Sequence, residues 1–143
     1  MKPLPPLKII YIEKQDLEFM RQDVEARAPE EACGMLAGRF EEDRCWAQET
    51  IPTTNALRSR VRYRMDPKEQ FEAFNRIDLM GLELVAIYHS HPNGPPGPSF
   101  TDIAEAYYPE VVYLIWSRQE SEWQCQGFAI QDREVTPVRI FSA

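Results

Sequence analysis

The stretch Leu82-Glu83-Leu84-Val85-Ala86-Ile87-Tyr88-His89-Ser90-His91, continued by Pro92-Asn93-Gly94-Pro95-Pro96-Gly97-Pro98 and then Ser99-Phe100-Thr101-Asp102, decides how the chain is read. Leu82 to Tyr88 is a dense apolar run, short enough for a buried central strand rather than a helix. It leads directly into His89 and His91, the only two histidines of the chain. Side chains two apart on a strand point to one face, with Cα atoms about 6.5 to 7 Å apart. Two imidazoles so placed can converge on one ion with bonds of about 2.0 to 2.1 Å.

The proline- and glycine-rich connection can turn the chain back onto the strand end. Ser99 to Tyr107 then reads as a helix whose amino end carries Ser99, Thr101 and Asp102. Its first turn offers Asp102 as a third ligand. Two histidines and one carboxylate leave the fourth tetrahedral position open, the arrangement of a catalytic rather than a structural zinc. Such a site also needs a carboxylate near but not on the metal to move protons. Glu30 and Glu31 are the candidates: Gly34 and Gly38 allow close strand packing beside Glu31, whereas Glu30 follows Pro29 and is expected to face solvent. Ser99 has two readings, a plain helix N-cap or a donor to the oxyanion of a tetrahedral intermediate, worth about 3 kcal/mol. Asp102 taken alone is equally a solvated cap.

Outward from this stretch the pattern is that of a mixed α/β sheet. Lys8 to Ile12 suits a first strand, and Leu17, Phe19, Met20, Val24 and Ala28 approximate helical spacing, with Asp16 as the expected N-cap and Pro29 as the stop. Gly34 to Gly38 and Cys45 to Ile51 read as antiparallel strands around an acidic turn, and Val61, Tyr63 and Met65 alternate as a half-buried strand would. Asp66-Pro67-Lys68-Glu69 opens a second helix, in which Phe71, Phe74 and Ile77 form a core-facing stripe and Gly81 the stop. Val111 to Trp116, Trp123 to Ile130 and Glu134 to Phe141 follow as three further strands.

Composition limits the function classes. The chain has 143 residues, 43% of them hydrophobic and 27% charged, ordinary values for a globular chain and the usual size of one domain. A single domain over residues 1–143 is expected. The longest apolar runs fall far short of the roughly 20 residues needed to span a bilayer. Met1 to Ile12 lacks the apolar stretch and cleavage site of a signal peptide, so a cytoplasmic protein with no membrane partner is expected. Cys33, Cys45 and Cys125 are odd in number and far apart, which suits buried reduced thiols rather than a disulfide framework or zinc ribbon. A net charge of −7 argues against nucleic acid as a partner.

The motif resembles that of the JAMM (Mov34/MPN/PAD-1) metalloproteases: a glutamate, then His-x-His, seven residues, Ser, two residues and Asp. His89-Ser90-His91, Ser99 and Asp102 keep that spacing, and Glu31-Ala32-Cys33-Gly34-Met35-Leu36-Ala37-Gly38 is similar to the upstream glutamate segment. The resemblance covers roughly Ile9 to Ile130 and is closest to the stand-alone prokaryotic members, without the ubiquitin-gripping insertions of eukaryotic deubiquitinases. It implies a single MPN/JAMM-type domain, a curved mixed sheet flanked by helices with a layout like that of cytidine deaminases, although the deaminase Pro-Cys-x-x-Cys is absent. It further implies zinc on His89, His91 and Asp102, Glu31 as general acid and base, and Ser99 as oxyanion donor. Asn55 resembles a family asparagine that follows a strand near the cleft. The implied substrates are ubiquitin-like or sulfur-carrier β-grasp proteins, cleaved after their carboxyl-terminal glycines. Two other readings accompany it: a non-catalytic MPN scaffold, and a RadC-like protein associated with DNA repair, whose His-x-His-Pro-x-Gly segment is similar to the one here.

Overall fold

The computed structural model describes residues 6–142, so residues 1–5 of the amino-terminal stretch and residue 143 lie outside the described residues. The elements run β1 (Ile9–Ile12), α1 (Lys14–Arg27), β2 (Cys33–Glu41), β3 (Arg44–Thr53), α2 (Pro67–Leu79), β4 (Glu83–His91), α3 (Phe100–Ala104), β5 (Val112–Gln119), β6 (Glu122–Gln131) and β7 (Glu134–Ser142). The sheet is mixed and closed, in the order β1-β3-β2-β4-β5-β6-β7. A curved sheet is what the resemblance implied, and closure goes further. The short β1 pairs in parallel with both β3 and β7, bridging two strands that would otherwise be edges.

β4 lies between β2, antiparallel to it, and β5, parallel to it. It is buried from Val85 to His91, as its apolar sequence predicts. Its two faces serve two cores. Tyr88 joins Met20 and Val24 of α1, Leu36 and Trp116 in one cluster, while Ile87 joins Met35, Tyr113 and the α2 residues Ala73 and Ile77 in the other. Among the described residues no helix is long and apolar enough to cross a membrane, and all three cysteines are free.

Several local expectations are corrected. Glu13, not Asp16, occupies the N-cap of α1, without a side-chain cap bond; Asp16 instead lies in the first turn, where acids favour the helix dipole, and accepts a hydrogen bond from Thr50. Asp66 caps α2 as expected, accepting from the N–H groups of Lys68 and Glu69. The aromatic stripe of α2 is only partly core, because Phe71 is 67% exposed and the buried positions are Ala73 and Ile77. Val61 to Met65 forms no strand beyond one bridge, Asn55 to Met65. The third helix is shorter than predicted, ending at Ala104 rather than Tyr107.

Gly38 is required by backbone proximity. The β2–β3 ladder shifts register between Ala37 and Gly38, and a Cβ at Gly38 would sit 1.7 Å from the Trp46 carbonyl oxygen. Backbone cannot rotate away as a side chain can. Gly38→Ala is therefore expected to cost about 3 kcal/mol, read as a lower denaturation midpoint at unchanged slope.

Candidate metal centre

The end of β4 carries His89 and His91 onto the face of Ile87, and the connection through Pro92 to Pro98 brings α3 back over them. His91 Nδ1 donates to the Pro95 carbonyl at 2.7 Å, which leaves Nε2 of the neutral ring as an acceptor. His89 is 1% exposed and held flat against Tyr63, the ring centroids 4.5 Å apart. Asp102 enters from α3. Ser99 caps that helix in a capping box: its Oγ accepts from the Asp102 N–H at 3.0 Å, and its own N–H donates to Asp102 Oδ2 at 2.8 Å. The cap reading of both residues is what the backbone uses. The same box fixes the aspartate's rotamer and leaves the Ser99 hydroxyl hydrogen free.

Three atoms then meet. His89 Nε2, His91 Nε2 and Asp102 Oδ2 lie 3.1 Å from one another. With Nδ1 carrying the proton on each ring, both Nε2 atoms and the carboxylate oxygen are acceptors, and three such lone pairs facing one point suit a positive charge among them. Ligands about 2.0 to 2.1 Å from a tetrahedral ion are separated by about 3.3 Å, close to the spacing found. The donor set therefore fits a small divalent cation.

Without a cation, ring protons take its place between the imidazoles and Asp102. Burial favours the neutral form of Asp102, but its hydrogen bonds with His89, His91 and the Ser99 N–H together hold it well below the usual carboxylate range. Burial lowers His89. For His91 burial acts the same way and is outweighed by Asp102 and the Pro95 carbonyl, which raise it.

Glu31 stands beside the triad. Its segment extends β2 along β4: Cys33 is in register with His89, the Ala32 N–H donates to Ser90 Oγ at 2.8 Å, and the Ser90 N–H donates to the Ala32 carbonyl at 3.1 Å. Glu31 is 3% exposed while Glu30 is half-buried, which separates the two glutamates. Ligand atoms of Glu31, His89 and His91 lie within 4.8 Å of one another, so this carboxylate is a rival to Asp102 as third ligand. Spacing favours Asp102. Its oxygen is at ligand-to-ligand distance and held by a backbone N–H, whereas Glu31 Oε1 is buried without a partner among the described residues. Burial first, and Asp102 to a lesser degree, raise the Glu31 carboxyl to about 8 against the opposing pull of His91.

Asn55 is the residue whose role the sequence left least defined. It is 5% exposed, and its Nδ2 donates to the carbonyls of Glu31 and Arg62, both at 3.0 Å. Its Oδ1 accepts from the N–H groups of Leu57 and Arg64, both at 3.1 Å. The Glu31 N–H donates in turn to the Ser59 carbonyl at 2.8 Å. One amide thus ties the whole 56–64 loop to the backbone of Glu31, which is why that loop is no strand. Unpaired buried backbone groups cost about 1 to 3 kcal/mol each. Asn55→Ala is therefore expected to destabilise by about 3 kcal/mol and to open the loop to trypsin at Arg58 to Arg64, seen as early cleavage there in limited proteolysis. Tyr63 and Pro95 were also missed as neighbours of the histidines; the alternation of Tyr63 with Met65 was the one available signal.

A cleft of about 440 Å³ opens from Asp102, lined among others by Tyr63, Arg62, Arg64 and Tyr108, and a second of about 310 Å³ lies on the Glu31 side with Arg27, Asn55 and Arg58. The family described as prokaryotic homologs of the JAB domain matches residues 13–127. A desampylase of Haloferax volcanii is 38% identical over 102 residues, 71% of this chain and 72% of the relative. A CysO-cysteine peptidase of Mycobacterium tuberculosis is 37% identical over 115 residues, covering 78% and 77%. The solution structure of a protein from Desulfitobacterium hafniense superposes with a TM-score of 0.86 at 32% identity, over 94% of this chain and 93% of the other. With the match running from the start of α1 into β6, through Glu31, both histidines and Asp102, the chain belongs to the prokaryotic JAB domain family.

Proposed function

We propose that the chain, as a single domain over residues 1–143, is a zinc-dependent peptidase and isopeptidase. Its substrates are amide bonds after the carboxyl-terminal glycines of ubiquitin-like or sulfur-carrier β-grasp proteins. The observation that carries the reading is the triad of acceptor atoms at 3.1 Å spacing beside a buried, unpartnered glutamate oxygen. A scaffold has no use for either feature, and a DNA-associated role finds no support in a chain of net charge −7. The names of the relatives, one a desampylase and one a CysO-cysteine peptidase, supply the substrate class. A zinc-deaminase-like layout is part of the same reading, supported by delivery of the ligands from a strand end and a helix start. Free thiols at Cys33, Cys45 and Cys125 suit a reducing cytoplasm.

His89, His91 and Asp102 hold the metal in this reading. When bound, zinc supplies Lewis-acid activation of water and of the scissile carbonyl. A nearby cation pulls a carboxyl down from its metal-free value, so Glu31, at about 8 without it, becomes able to take a proton and return it to the leaving amine. Its orientation is set by the Ala32–Ser90 pair and Asn55 rather than by any bond to its carboxylate. Ser99 Oγ, already accepting from Asp102 N–H, has its hydrogen left to donate to the developing oxyanion.

The test incubates the protein with several β-grasp proteins bearing extensions after their terminal glycines, with and without chelator, and reads products by mass. Release of the extension, lost with chelator and restored by zinc, is expected. Intact substrates throughout, or cleavage indifferent to chelator, would contradict the proposal.

A further inference from the structure

The loop that Asn55 pins to Glu31 has an unusual charge pattern. Arg58-Ser59-Arg60-Val61-Arg62-Tyr63-Arg64 places four arginines and no acid in seven residues of a chain whose net charge is −7. All four arginine side chains are exposed. Only Arg62 has an acidic partner within ion-pair distance among the described residues, Glu105 at 3.9 Å. Arg58, Arg60 and Arg64 make no side-chain hydrogen bond or ion pair there. Their position is also informative: Arg58 lines the cleft on the Glu31 side and Arg64 the cleft at Asp102. The charges straddle the entrance to the site.

Interleaved with them, Leu57 is 42% and Val61 74% exposed. Arginine set among exposed apolar side chains is the composition of a protein-binding surface. Nucleic-acid binding by contrast needs charge broad enough to track a phosphate backbone, which the surrounding acidic chain lacks. The loop is also ordered in advance by Asn55 and by Ser59 Oγ, which accepts from the N–H groups of Val61 and Arg62, so little conformational entropy is lost on docking.

We infer that Arg58, Arg60 and Arg64 form a docking rim for an acidic face of the folded β-grasp substrate, holding its body while the tail enters beside Asp102. The inference rests on the proposed function for the identity of the partner, and it concerns binding, not the chemical step. Rim charges act on encounter rate and salt dependence more than on buried contact energy. An acidic chain without this rim would repel an acidic partner.

The test measures binding of a net-acidic β-grasp protein ending in Gly-Gly plus a short extension, by fluorescence anisotropy, to the zinc-loaded Glu31→Gln protein. Raising salt from about 50 to 300 mM is expected to weaken binding about tenfold. Adding Arg58→Glu, Arg60→Glu and Arg64→Glu together is expected to raise Kd at low salt at least tenfold and to remove the salt dependence, with melting temperature and zinc content unchanged. The triple Arg→Lys variant should stay within about threefold of the parent, which separates charge from loss of fold. An unchanged Kd in the charge-reversed protein would overturn the inference. So would binding of a single-stranded oligonucleotide that the reversal abolishes while protein binding persists. Tight, rim-dependent binding with no cleavage by the wild-type protein would instead overturn the proposed function and leave the rim standing.

Discussion

Glu31→Gln is expected to remove cleavage almost entirely while leaving zinc in place. In the proposed site the carboxylate is not one of the three ligands, so the amide keeps the shape of the site and loses the ability to move a proton. General acid and base groups contribute roughly 10²- to 10⁴-fold, and the variant's kcat should fall by at least the lower figure at unchanged metal content. Stability supplies an independent readout. Burial raises the Glu31 carboxyl to about 8 in the metal-free fold, above the roughly 4.3 of an unfolded chain. An acid shifted upward contributes stability that is fully present below about pH 4.3 and is lost as pH rises toward 8. Metal-free Glu31→Gln lacks that loss, so its melting temperature relative to wild type should climb between those values. A variant that follows the wild-type pH profile would show that Glu31 is ionised and solvated, contrary to its burial.

His89→Ala is the second large effect, and it acts through the metal. The ring contributes one of three acceptor atoms and stacks on Tyr63. Without it two donors remain, too few to hold a catalytic ion against water. Zinc content is expected to fall from about one per chain to near zero, and activity by more than about 10³-fold. Added zinc should not restore it. Because the ligands bind metal only when deprotonated, zinc affinity of the wild-type protein should drop steeply as pH falls through the histidine range, about 7 to 5.5. His91, which Asp102 and Pro95 raise, is the first of the two rings to take a proton. Retained zinc in His89→Ala, measured by metal analysis after dialysis, would remove His89 from the ligand set.

Sequence patterning made most of the candidate site legible. Leu82 to Tyr88 is apolar because both faces of β4 are buried, so a strand ending in two histidines was readable without a partner strand in view. Ser99 as a helix N-cap was equally local, whereas the capping box it forms with Asp102 emerges only in the fold. Glu31 was separable from Glu30 only by its neighbours, the two glycines, and Gly38 indeed lies against backbone. What sequence did not carry is long-range. Closure depends on β1 meeting β7 across the whole chain, and no local pattern encodes it. The period-two alternation of Val61, Tyr63 and Met65 suggested a strand, but Asn55 and Ser59 take the backbone groups a strand would have paired. Helical spacing placed Phe71 on the core side of α2, yet Ala73 and Ile77 mark a face turned away from it. Asn55 itself reads from sequence as an ordinary strand terminator; its four bonds to backbone exist only once Glu31 is folded beside it.

The central claim is that His89, His91 and Asp102, with Glu31 alongside, form a zinc site. Diffraction data from zinc-loaded crystals, collected on both sides of the zinc absorption edge, test it most directly. One anomalous peak is predicted, about 2.0 to 2.2 Å from Nε2 of both histidines and from Asp102 Oδ2, with the Glu31 carboxylate outside bonding distance. A peak elsewhere, or one bound by Glu31 with Asp102 turned back into its helix cap, would contradict the account.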